Sequence, residues 1–403
     1  MRPDVLMLQG PIGPFFSRFA RGLEHWEQYL ERLVVNRNIG RIYLFGDCRS
    51  YHRIARDVAR RHDVRVFVFE EGYIRPNFVT LEEGGVNGHS PMMADPVRLD
   101  RQASPLPPEF AAPSHVFWFT AAFSMVYYWA CALGRRRYPH YRHHRPIGWL
   151  SEGLRWLRSG TRKLRYRVRE RRVMDALLPQ FDGNYFVCPL QVHCDMQVVV
   201  HSGFNSIEHF VGEVLASFAM HAPPNKAIVF KHHPLDRAYT DYTSLFANLA
   251  AELGLQDRVF YVHDLDLPRL LRSAQGTVLI NSTVGLSSLF HGTPVKTLGR
   301  AVYDLPGLTA QCPLDEFWSV EGRVDQQAFE VYRANLVVRN QINGNLYRRI
   351  SENDPAGIVW SARLLAEHSH APERPDAAAP GRLTVIEGGA ASNSGRKKGP
   401  KAA

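Results

Sequence analysis

The chain has 403 residues, with 49 Lys and Arg against 39 Asp and Glu, and a formal net charge of +10. Apolar residues make up 45% and charged residues 22%, which excludes a mainly disordered chain, a collagen-like fibre and a multi-span membrane protein. A chain of this length predicts two domains and a large buried core.

Alternating strands and helices open the chain. Buried strands are predicted at Val5–Leu8, Arg41–Phe45 and Val64–Phe69, and helical spacing of apolar residues runs through 15–34 and His52–Arg61. Each strand ends at a polar or glycine-containing turn. This alternation predicts a parallel α/β sheet in the first half of the chain.

The positive charge is concentrated in the middle of the chain. An uncharged run, Val116–Gly134, precedes residues 134–173, which hold fourteen Arg and Lys against only Glu152 and Glu170. The uncharged run has three interpretations: a spanning helix, a helix buried in the core, or an aromatic and basic element that rests on anionic lipid. Nucleic acid would attract the same charge, but no nucleic-acid module is found, and the tryptophans beside the arginines suit a lipid interface.

The alternation restarts after the basic segment. Strands are predicted at Tyr185–Val192, Lys226–Lys231, Val259–Val262, Thr277–Ile280 and Pro294–Leu298, and helices at Ile207–Met220, Tyr242–Leu253, Leu267–Ser273 and Val284–His291. The fold class is therefore α/β, with two sheets that leave a central cleft between them. Open α/β sheets bind their ligands at the carboxyl ends of the strands, which would face this cleft.

Composition sets the predicted domain boundaries. Residues 1–180 form a first domain, which carries the basic and apolar insertion at 116–173, and residues 181–313 form a second. Residues 314–366 are predicted to be a helical brace. Residues 367–403 are rich in Ala, Pro, Gly and Ser and are predicted to be disordered, because they cannot bury enough apolar surface.

Two polar motifs of the second domain could bind a phosphate. The first, at 281–285, lies between a buried strand and a helix. The first N–H groups of that helix could bind an anion, and helix capping alone is the alternative. The second ends another strand, where a lysine and two histidines could neutralise the charge. With Gln191, these motifs make up the candidate donor site: Asn281, Ser282, Thr283, Gly285, Lys231, His232, His233 and Pro234.

Carboxylates supply the candidate chemistry. Asp195 follows the first strand of the second domain and could be a nucleophile that forms a covalent glycosyl intermediate, with an N-cap as the alternative. Glu70 and Glu71 end a strand of the first domain, and adjacent carboxylates raise each other's pKa, as a general acid or base near neutrality requires. Asp264 and Asp266 look like the Asp-x-Asp of metal-dependent transferases, but they precede a helix, so capping is favoured.

These motifs together resemble a known family. Glu70-Glu71-Gly72, His233-Pro234 and Ser282-Thr283 occur in the order of three short motifs of bacterial sialyltransferases, which use CMP-activated sugars. Longer strings are more specific and resemble the capsule polysaccharide biosynthesis family over roughly residues 5–350: LQGPIGPFF, GDCRSYH, EEGYIRPNFVTLEEGGVN, PLQVHCD, KHHPLDR, NSTVGLSSLFHGTPVKTLG and AVYDLPGLT.

The resemblance implies a retaining β-Kdo transferase of the GT-B fold, with two Rossmann-like domains. Such an enzyme moves Kdo (3-deoxy-manno-octulosonic acid) from CMP-β-Kdo onto (lyso)phosphatidylglycerol, without a metal or other cofactor, to start the linker of an exported capsule. It implies Asp195 as nucleophile and Glu71, or else Glu70, as acid/base, while His233 and Ser282/Thr283 hold the CMP phosphate. The candidate acceptor and membrane residues are Gly10, Arg75, Arg162, Lys163, Arg165 and Arg169.

The sequence also predicts where the protein resides and leaves two other functions open. The N-terminus lacks a signal-peptide pattern, and five cysteines without paired short spacings indicate neither a disulfide framework nor a zinc site. A cytoplasmic protein, peripheral on the inner face of the inner membrane, is expected, with other capsule assembly proteins as further partners. A sialyltransferase or other CMP-sugar transferase, and a non-enzymatic export adaptor, remain the alternative functions.

Overall fold

The computed structural model describes residues 7–10, 13–15, 19–75, 78–96, 116–141, 149–170, 173, 177 and 179–346. These residues form two α/β units, each built on its own sheet. This confirms the predicted fold class, a two-unit α/β architecture of the GT-B type. The predicted tail at 367–403 lies outside the described residues.

The sheet of the first unit is mixed rather than parallel. Its strands are β1 (Met7–Gly10), β2 (Gly13–Phe15), β3 (Arg41–Phe45), β4 (Arg65–Glu71), β5 (Phe78–Glu83) and β11 (Gln341–Asn343), in the order β11-β5-β4-β3-β1-β2. β3 and β4 are parallel, whereas β1 is antiparallel to β3 and β5 is antiparallel to β4. The prediction of a parallel β1 was wrong because the hairpin strand β2 reverses the chain before it reaches β3.

Two helices cover one face of this sheet. They are α1 (Trp26–Asn36) and α2 (Ser50–Arg61). Leu30 of α1 and Val58 of α2 are fully buried against Ile42 of β3 and Val68 of β4. The helical spacing predicted over 15–34 becomes helix only from Trp26, because the preceding residues include strand β2.

The basic segment contains two long helices, α3 (Val116–Gly134) and α4 (Trp149–Arg169). No α3 side chain whose burial is described is buried, and Val126, Trp129 and Leu133 are more than 60% exposed. The interpretation of this run as a core helix is therefore wrong for those residues. Within the described ranges, no helix is both long enough and apolar enough to cross a membrane.

The sheet of the second unit is entirely parallel. Its strands are β6 (Tyr185–Pro189), β7 (Ala227–Lys231), β8 (Val259–Val262), β9 (Gly276–Leu279) and β10 (Val295–Thr297). The order β10-β9-β6-β7-β8 is the Rossmann order, in which the first strand lies between the second and the fourth. All five predicted strands are confirmed, within a few residues at their ends.

Five helices connect these strands. They are α5 (Met196–His201), α6 (Ile207–His221), α7 (Thr243–Glu252), α8 (Leu267–Arg272) and α9 (Val284–Phe290). The prediction missed α5, which is a helix of six residues. Fully buried Phe210, Val214 and Phe218 of α6 pack with Phe230 of β7, which explains the apolar spacing read from the sequence.

The C-terminal part of the described chain joins the two units. After α10 (Leu314–Phe317) and α11 (Gln326–Arg339), β11 pairs with β5 and so returns to the first sheet. Gln341 accepts a hydrogen bond from the backbone N–H of Tyr73 at 2.9 Å. Tyr73 also packs in one core with Leu279 of β9 and Tyr332 of α11. This shared core fixes the first unit beside the second.

Candidate active site

The candidate residues of the second unit gather at the point where its strand order reverses. β6 leads into Gln191 and Asp195, and its neighbour β9 leads into Asn281. The Gln191 Nε2 donates to Asn281 Oδ1 at 3.1 Å, which ties the two strand ends together. A ligand of an open parallel sheet binds in the crevice formed there, because the chains after adjacent strands diverge to opposite faces.

Asp195 has a fixed orientation at this crevice. It is the N-cap of α5, where its Oδ1 accepts the backbone N–H of Gln197 at 2.9 Å. Its Oδ2 accepts from Gln191 Nε2 at 3.0 Å, and the residue remains partly exposed. The N-cap expected as the alternative is thus present, and the same contacts hold the carboxylate in one place, as a nucleophile requires.

Lys231 and His232 turn away from the crevice. Lys231 is 8% exposed, and its Nζ donates to the carbonyl oxygen of His263 at 3.1 Å. His232 is 1% exposed, with Nδ1 at 2.7 Å from the hydroxyl of Tyr261, and burial lowers its pKa to about 4. A neutral, buried imidazole cannot neutralise a phosphate, and the Lys231 ammonium is buried and engaged by a carbonyl oxygen, so the structure does not support the predicted donor contacts of these two residues.

His233 is the member of that motif that remains partly accessible. Its Nδ1 accepts the backbone N–H of Leu235 at 3.2 Å, so the proton of the neutral ring lies on Nε2, which is available to donate. Burial lowers the pKa of His233, the carboxylates of Asp236 and Asp195 raise it, and the cation of Arg75 lowers it. Arg75 belongs to the first unit, so charges from both units act on the pKa of His233.

The residues that follow β9 are held by Tyr303. Ser282 Oγ accepts the N–H of Val284 at 3.3 Å, while Thr283 makes no capping bond with its side chain. The Tyr303 hydroxyl donates to the Ser282 carbonyl oxygen. A Cβ at Gly285 would lie 2.3 Å from that hydroxyl, so this glycine is required for the packing of Tyr303. The N-cap position of α9 is Thr283, but the side chain that accepts an N–H of the helix is that of Ser282.

Glu70 and Glu71 differ in their surroundings although they are neighbours. Burial raises the pKa of Glu70 to about 7, with a further rise from the Glu71 charge and an opposing hydrogen bond from the Glu71 N–H. The Glu71 carboxylate instead pairs with Arg75 Nη1 at 2.9 Å. Gly72 follows them, and a Cβ there would lie 2.1 Å from the carbonyl oxygen of Phe78. The glycine thus allows the Phe78 backbone to approach closely.

One face of α4 contacts the second unit. Arg162 donates to the Arg237 carbonyl oxygen at 2.7 Å and is therefore not placed to meet a lipid, contrary to its predicted role. The ring of Tyr166 stacks on that of His263, with the centroids 3.6 Å apart. Lys163, Arg165 and Arg169 lie on exposed parts of the same helix. Gly10, the remaining acceptor candidate, pairs with Gly13 in the first hairpin.

The sequence reasoning missed two buried carboxylates that organise the site. Asp236, in the string KHHPLDR, accepts the backbone N–H of His193 at 3.2 Å and the Thr240 hydroxyl at 2.7 Å. Glu170 accepts the backbone N–H groups of His263 and Asp264, each at 2.8 Å. The available signal for Glu170 was that it is one of only two acids in the arginine-rich segment.

The capping role predicted for the aspartate pair near α8 is confirmed for one of the two. Asp266 is the N-cap of α8, and its side chain accepts the N–H of Arg269 at 3.0 Å. Asp264 pairs with Arg237 and Arg167, each at 3.3 Å. Capping and ion pairing therefore account for both carboxylates.

Two α/β units, each with its own sheet and with polar side chains where the strands end, have the architecture of the GT-B type. A family model described as capsule polysaccharide biosynthesis protein matches residues 41–347. The chain belongs to the capsule polysaccharide biosynthesis family, as its motifs suggested.

Curated relatives cover nearly the whole described chain. The capsule polysaccharide export protein KpsS of Escherichia coli is 36% identical over 382 residues, which cover 85% of this chain and 96% of KpsS. The capsule polysaccharide modification protein LipB of Neisseria meningitidis serogroup A is 36% identical over 389 residues, which cover 86% of this chain and 92% of LipB. Among solved structures, KpsC of Thermosulfurimonas dismutans, a β-Kdo 2,7 transferase, is 17% identical with a TM-score of 0.40, and the match covers 82% of this chain and 85% of that one.

Proposed function

We propose that this protein is a retaining β-Kdo transferase that moves Kdo from CMP-β-Kdo onto (lyso)phosphatidylglycerol and so starts the Kdo linker of an exported capsule. The observation that carries the proposal is that charges from both units, Asp195 and Arg75, act on His233. A carboxylate, an imidazole and a cation in one region are the groups that a transfer from a sugar phosphate needs. Family membership supports the capsule pathway, and the motif resemblance supports CMP-Kdo as donor.

The transfer proceeds in two displacement steps. The Asp195 carboxylate attacks the anomeric carbon of Kdo, a carbon–oxygen bond to Asp195 forms, and the bond to the CMP phosphate breaks, so CMP leaves with the electron pair. The acceptor hydroxyl then attacks the same carbon from the opposite face, the bond to Asp195 breaks, and the hydroxyl proton passes to a base. Two inversions give net retention of configuration.

Glu70 is the base that we favour for the second step. A carboxylate with a pKa near 7 holds a proton strongly enough to take it from a hydroxyl, and is still ionised in part at neutral pH. Glu71 is engaged by Arg75 and is better placed to orient that cation. This choice reverses the preference for Glu71 that the motif alone suggested.

The leaving phosphate is stabilised by protein groups, and the transfer needs no metal. His233 donates from Nε2, and Arg75 supplies a cation that is 54% exposed in its side chain and can approach the ligand. Gln191 and Asn281 hold the Asp195 loop while the charge moves onto the CMP phosphate. Donors fixed before the reaction stabilise developing charge without a cost of reorganisation.

The exposed side of α3 and α4 supports attachment to an anionic membrane. On α4, Leu157, Leu164 and Val168 are 66–69% exposed, and they lie beside the exposed Arg165 and Arg169. Exposed Trp129 and Leu133 extend this apolar surface onto α3, which contacts α4. Apolar side chains enter the headgroup region, while each arginine contributes about 1 kcal/mol at an anionic surface. We propose that the protein is peripheral on the inner face of the inner membrane.

Mass spectrometry of the product formed from CMP-Kdo and lysophosphatidylglycerol tests the activity. We expect Asp195→Asn, which keeps the capping oxygen, to lose transfer but to retain CMP binding. Asp266→Asn is the matched control, since Asp266 caps α8 outside the crevice. Persistent transfer by Asp195→Asn would remove Asp195 as nucleophile. Preference for CMP-sialic acid would indicate a sialyltransferase, and no release of CMP with any acceptor would favour an export adaptor.

Flotation with phosphatidylglycerol vesicles tests the membrane proposal. Replacement of Arg165 and Arg169 by Glu, or of Leu157 and Leu164 by Ser, should reduce binding, and added salt should weaken it. Arg60→Glu is the control for net charge, because Arg60 is 80% exposed on α2 of the first unit. Binding that is indifferent to salt and to all these changes contradicts the proposal.

A further inference from the structure

Three potential metal ligands from separate parts of the chain converge at the boundary between the two units. Cys48 follows β3, His89 lies in a 3₁₀ turn at Asn87–His89, and His201 is the last residue of α5. One ligand atom from each lies within 4.8 Å of those of the other two. The site assigned above uses none of the three residues.

The distances fit a tetrahedral zinc ion with small adjustments. Bonds of about 2.3 Å to sulfur and about 2.0 Å to nitrogen place a sulfur and a nitrogen ligand about 3.5 Å apart and two nitrogen ligands about 3.3 Å apart. Cys48 Sγ and His201 Nε2 are 3.5 Å apart. A more widely spaced pair would have to close by at most about 1.5 Å. The His89 side chain is 31% exposed and has room for such a movement.

Asp47 provides the outer contact that metal-bound histidines usually have. Its carboxylate is fully buried, and Oδ2 lies 3.0 Å from His89 Nδ1. An imidazole that donates from Nδ1 to a carboxylate presents Nε2 to a metal in the unprotonated state. Arg56 Nη1 lies 3.2 Å from the same Oδ2 and 3.1 Å from His89 Nδ1, and its cation offsets the charge of the buried aspartate.

The surroundings of His201 also favour a ligand role. The residue is 1% exposed, and its Nε2 is the nitrogen that lies near Cys48 Sγ; its Nδ1, unlike that of His89, has no hydrogen-bond partner in the part of the chain that the structure describes. A Cβ at Gly88 would lie 2.4 Å from that nitrogen, so the glycine lets the first unit close over the ring. The His89 ring packs edge-on against the His201 ring, with the centroids 4.5 Å apart.

We propose that Cys48, His89 and His201 bind a divalent metal ion of the zinc type, which ties the first unit to the end of α5. A thiolate with two imidazoles is a donor set that Zn²⁺ prefers, and the Cys48 thiol proton is released to solvent on binding. The metal is a cross-link and takes no part in the transfer.

The position of His201 gives the metal a consequence for Asp195. Asp195 caps the first residue of α5 and His201 ends the same helix, so about 9 Å of helix separates them. The His201 carbonyl oxygen accepts the backbone N–H of Arg300 at 2.8 Å, which fixes that end in the second unit. A metal on His201 would therefore hold Asp195 at a constant distance from the first unit. This consequence, unlike the metal site itself, rests on the proposed function.

Binding of Co²⁺ and Zn²⁺ to the purified, chelator-treated full chain tests the site. We expect one equivalent of Co²⁺ to give a thiolate-to-cobalt charge-transfer absorption, which Zn²⁺ then displaces. Cys48→Ser should abolish this band, and His89→Gln, at a partly exposed side chain, should weaken it. Asp47→Asn should lower the Zn²⁺ affinity about 10- to 100-fold.

Matched controls separate metal binding from loss of the fold. Cys312→Ser and His62→Gln change the same residue types elsewhere and should leave the band unchanged. Zn²⁺ should also raise the thermal midpoint of the wild-type chain, because a ligand that binds only the folded state stabilises it. A wild-type chain that gives no thiolate band, or a band that survives Cys48→Ser, overturns the proposal. Neither result depends on transferase activity, so this experiment tests the metal site independently of the proposed function.

Discussion

The buried carboxylate of Glu170 offers a quantitative test of how α4 is attached to the donor unit. Glu170 is 4% exposed, and its two oxygens accept the backbone N–H groups of His263 and Asp264 at 2.8 Å. The ring Nδ1 of His263 lies 3.0 Å from the same carboxylate. Truncation to Glu170→Ala leaves two buried N–H groups without an acceptor.

The expected magnitude follows from these contacts. A hydrogen bond to a charged group contributes about 1.5–3 kcal/mol, and a buried donor left unpaired costs about 1–3 kcal/mol. The loss of two such bonds is partly offset because a buried charge is removed. We therefore expect Glu170→Ala to lower the free energy of unfolding by about 2–5 kcal/mol. Glu170→Gln keeps one acceptor and should cost about half as much.

Urea unfolding followed by circular dichroism measures the change, as a lower midpoint at an unchanged slope. Glu213→Ala is the matched control, because Glu213 makes one exposed pair with His209 and should change stability by no more than about 0.5 kcal/mol. A Glu170→Ala variant within about 0.5 kcal/mol of that control would show that α4 does not depend on this carboxylate.

Three further predictions concern the crevice. If Glu70 is the base, the transfer rate rises about tenfold per pH unit below pH 7 and levels off above it, because only the ionised carboxylate accepts a proton. In a pH–rate profile, Glu70→Gln should remove this dependence and Glu71→Gln should preserve it. His233→Ala should raise the KM for the donor with little change in thermal stability, whereas His232→Ala should lower the melting temperature, and the reverse pattern would contradict the orientation of the two rings. Gly285→Ala should destabilise by about 1–3 kcal/mol in urea unfolding because its Cβ meets the Tyr303 hydroxyl, while Gly212→Ala, with open space around the new Cβ, should not destabilise.

Prediction from the sequence succeeded where local pattern determines structure. The strands and helices of the second unit follow from apolar runs of four to six residues separated by amphipathic segments, and the capping role of Asp266 follows from its position before Leu267. The first sheet was less predictable because β2 and β11 are only three residues long. A short strand carries too little pattern to be recognised, and β11 pairs across more than 250 residues of chain.

Which polar side chains reach the crevice was not determined by their motif. Lys231, His232 and His233 are consecutive, but two of them are turned into the protein by contacts with His263 and Tyr261, which lie some thirty residues further along. The choice between Glu70 and Glu71 likewise depends on burial and on Arg75, and neither is visible in two identical adjacent residues.

The sequence by itself determined the α/β class, the family and the place of the basic segment, because these depend on composition, periodicity and contiguous motifs. The tertiary structure decided the topology of the first sheet, the orientation of the strand-end side chains and the division of α4 into a docked and an exposed face. It also brought together Cys48, His89 and His201, which cysteine spacing alone had not indicated as a metal site. The physical reason is the same in each case: contacts between distant segments set burial and hydrogen-bond partners, and these select which residues can act.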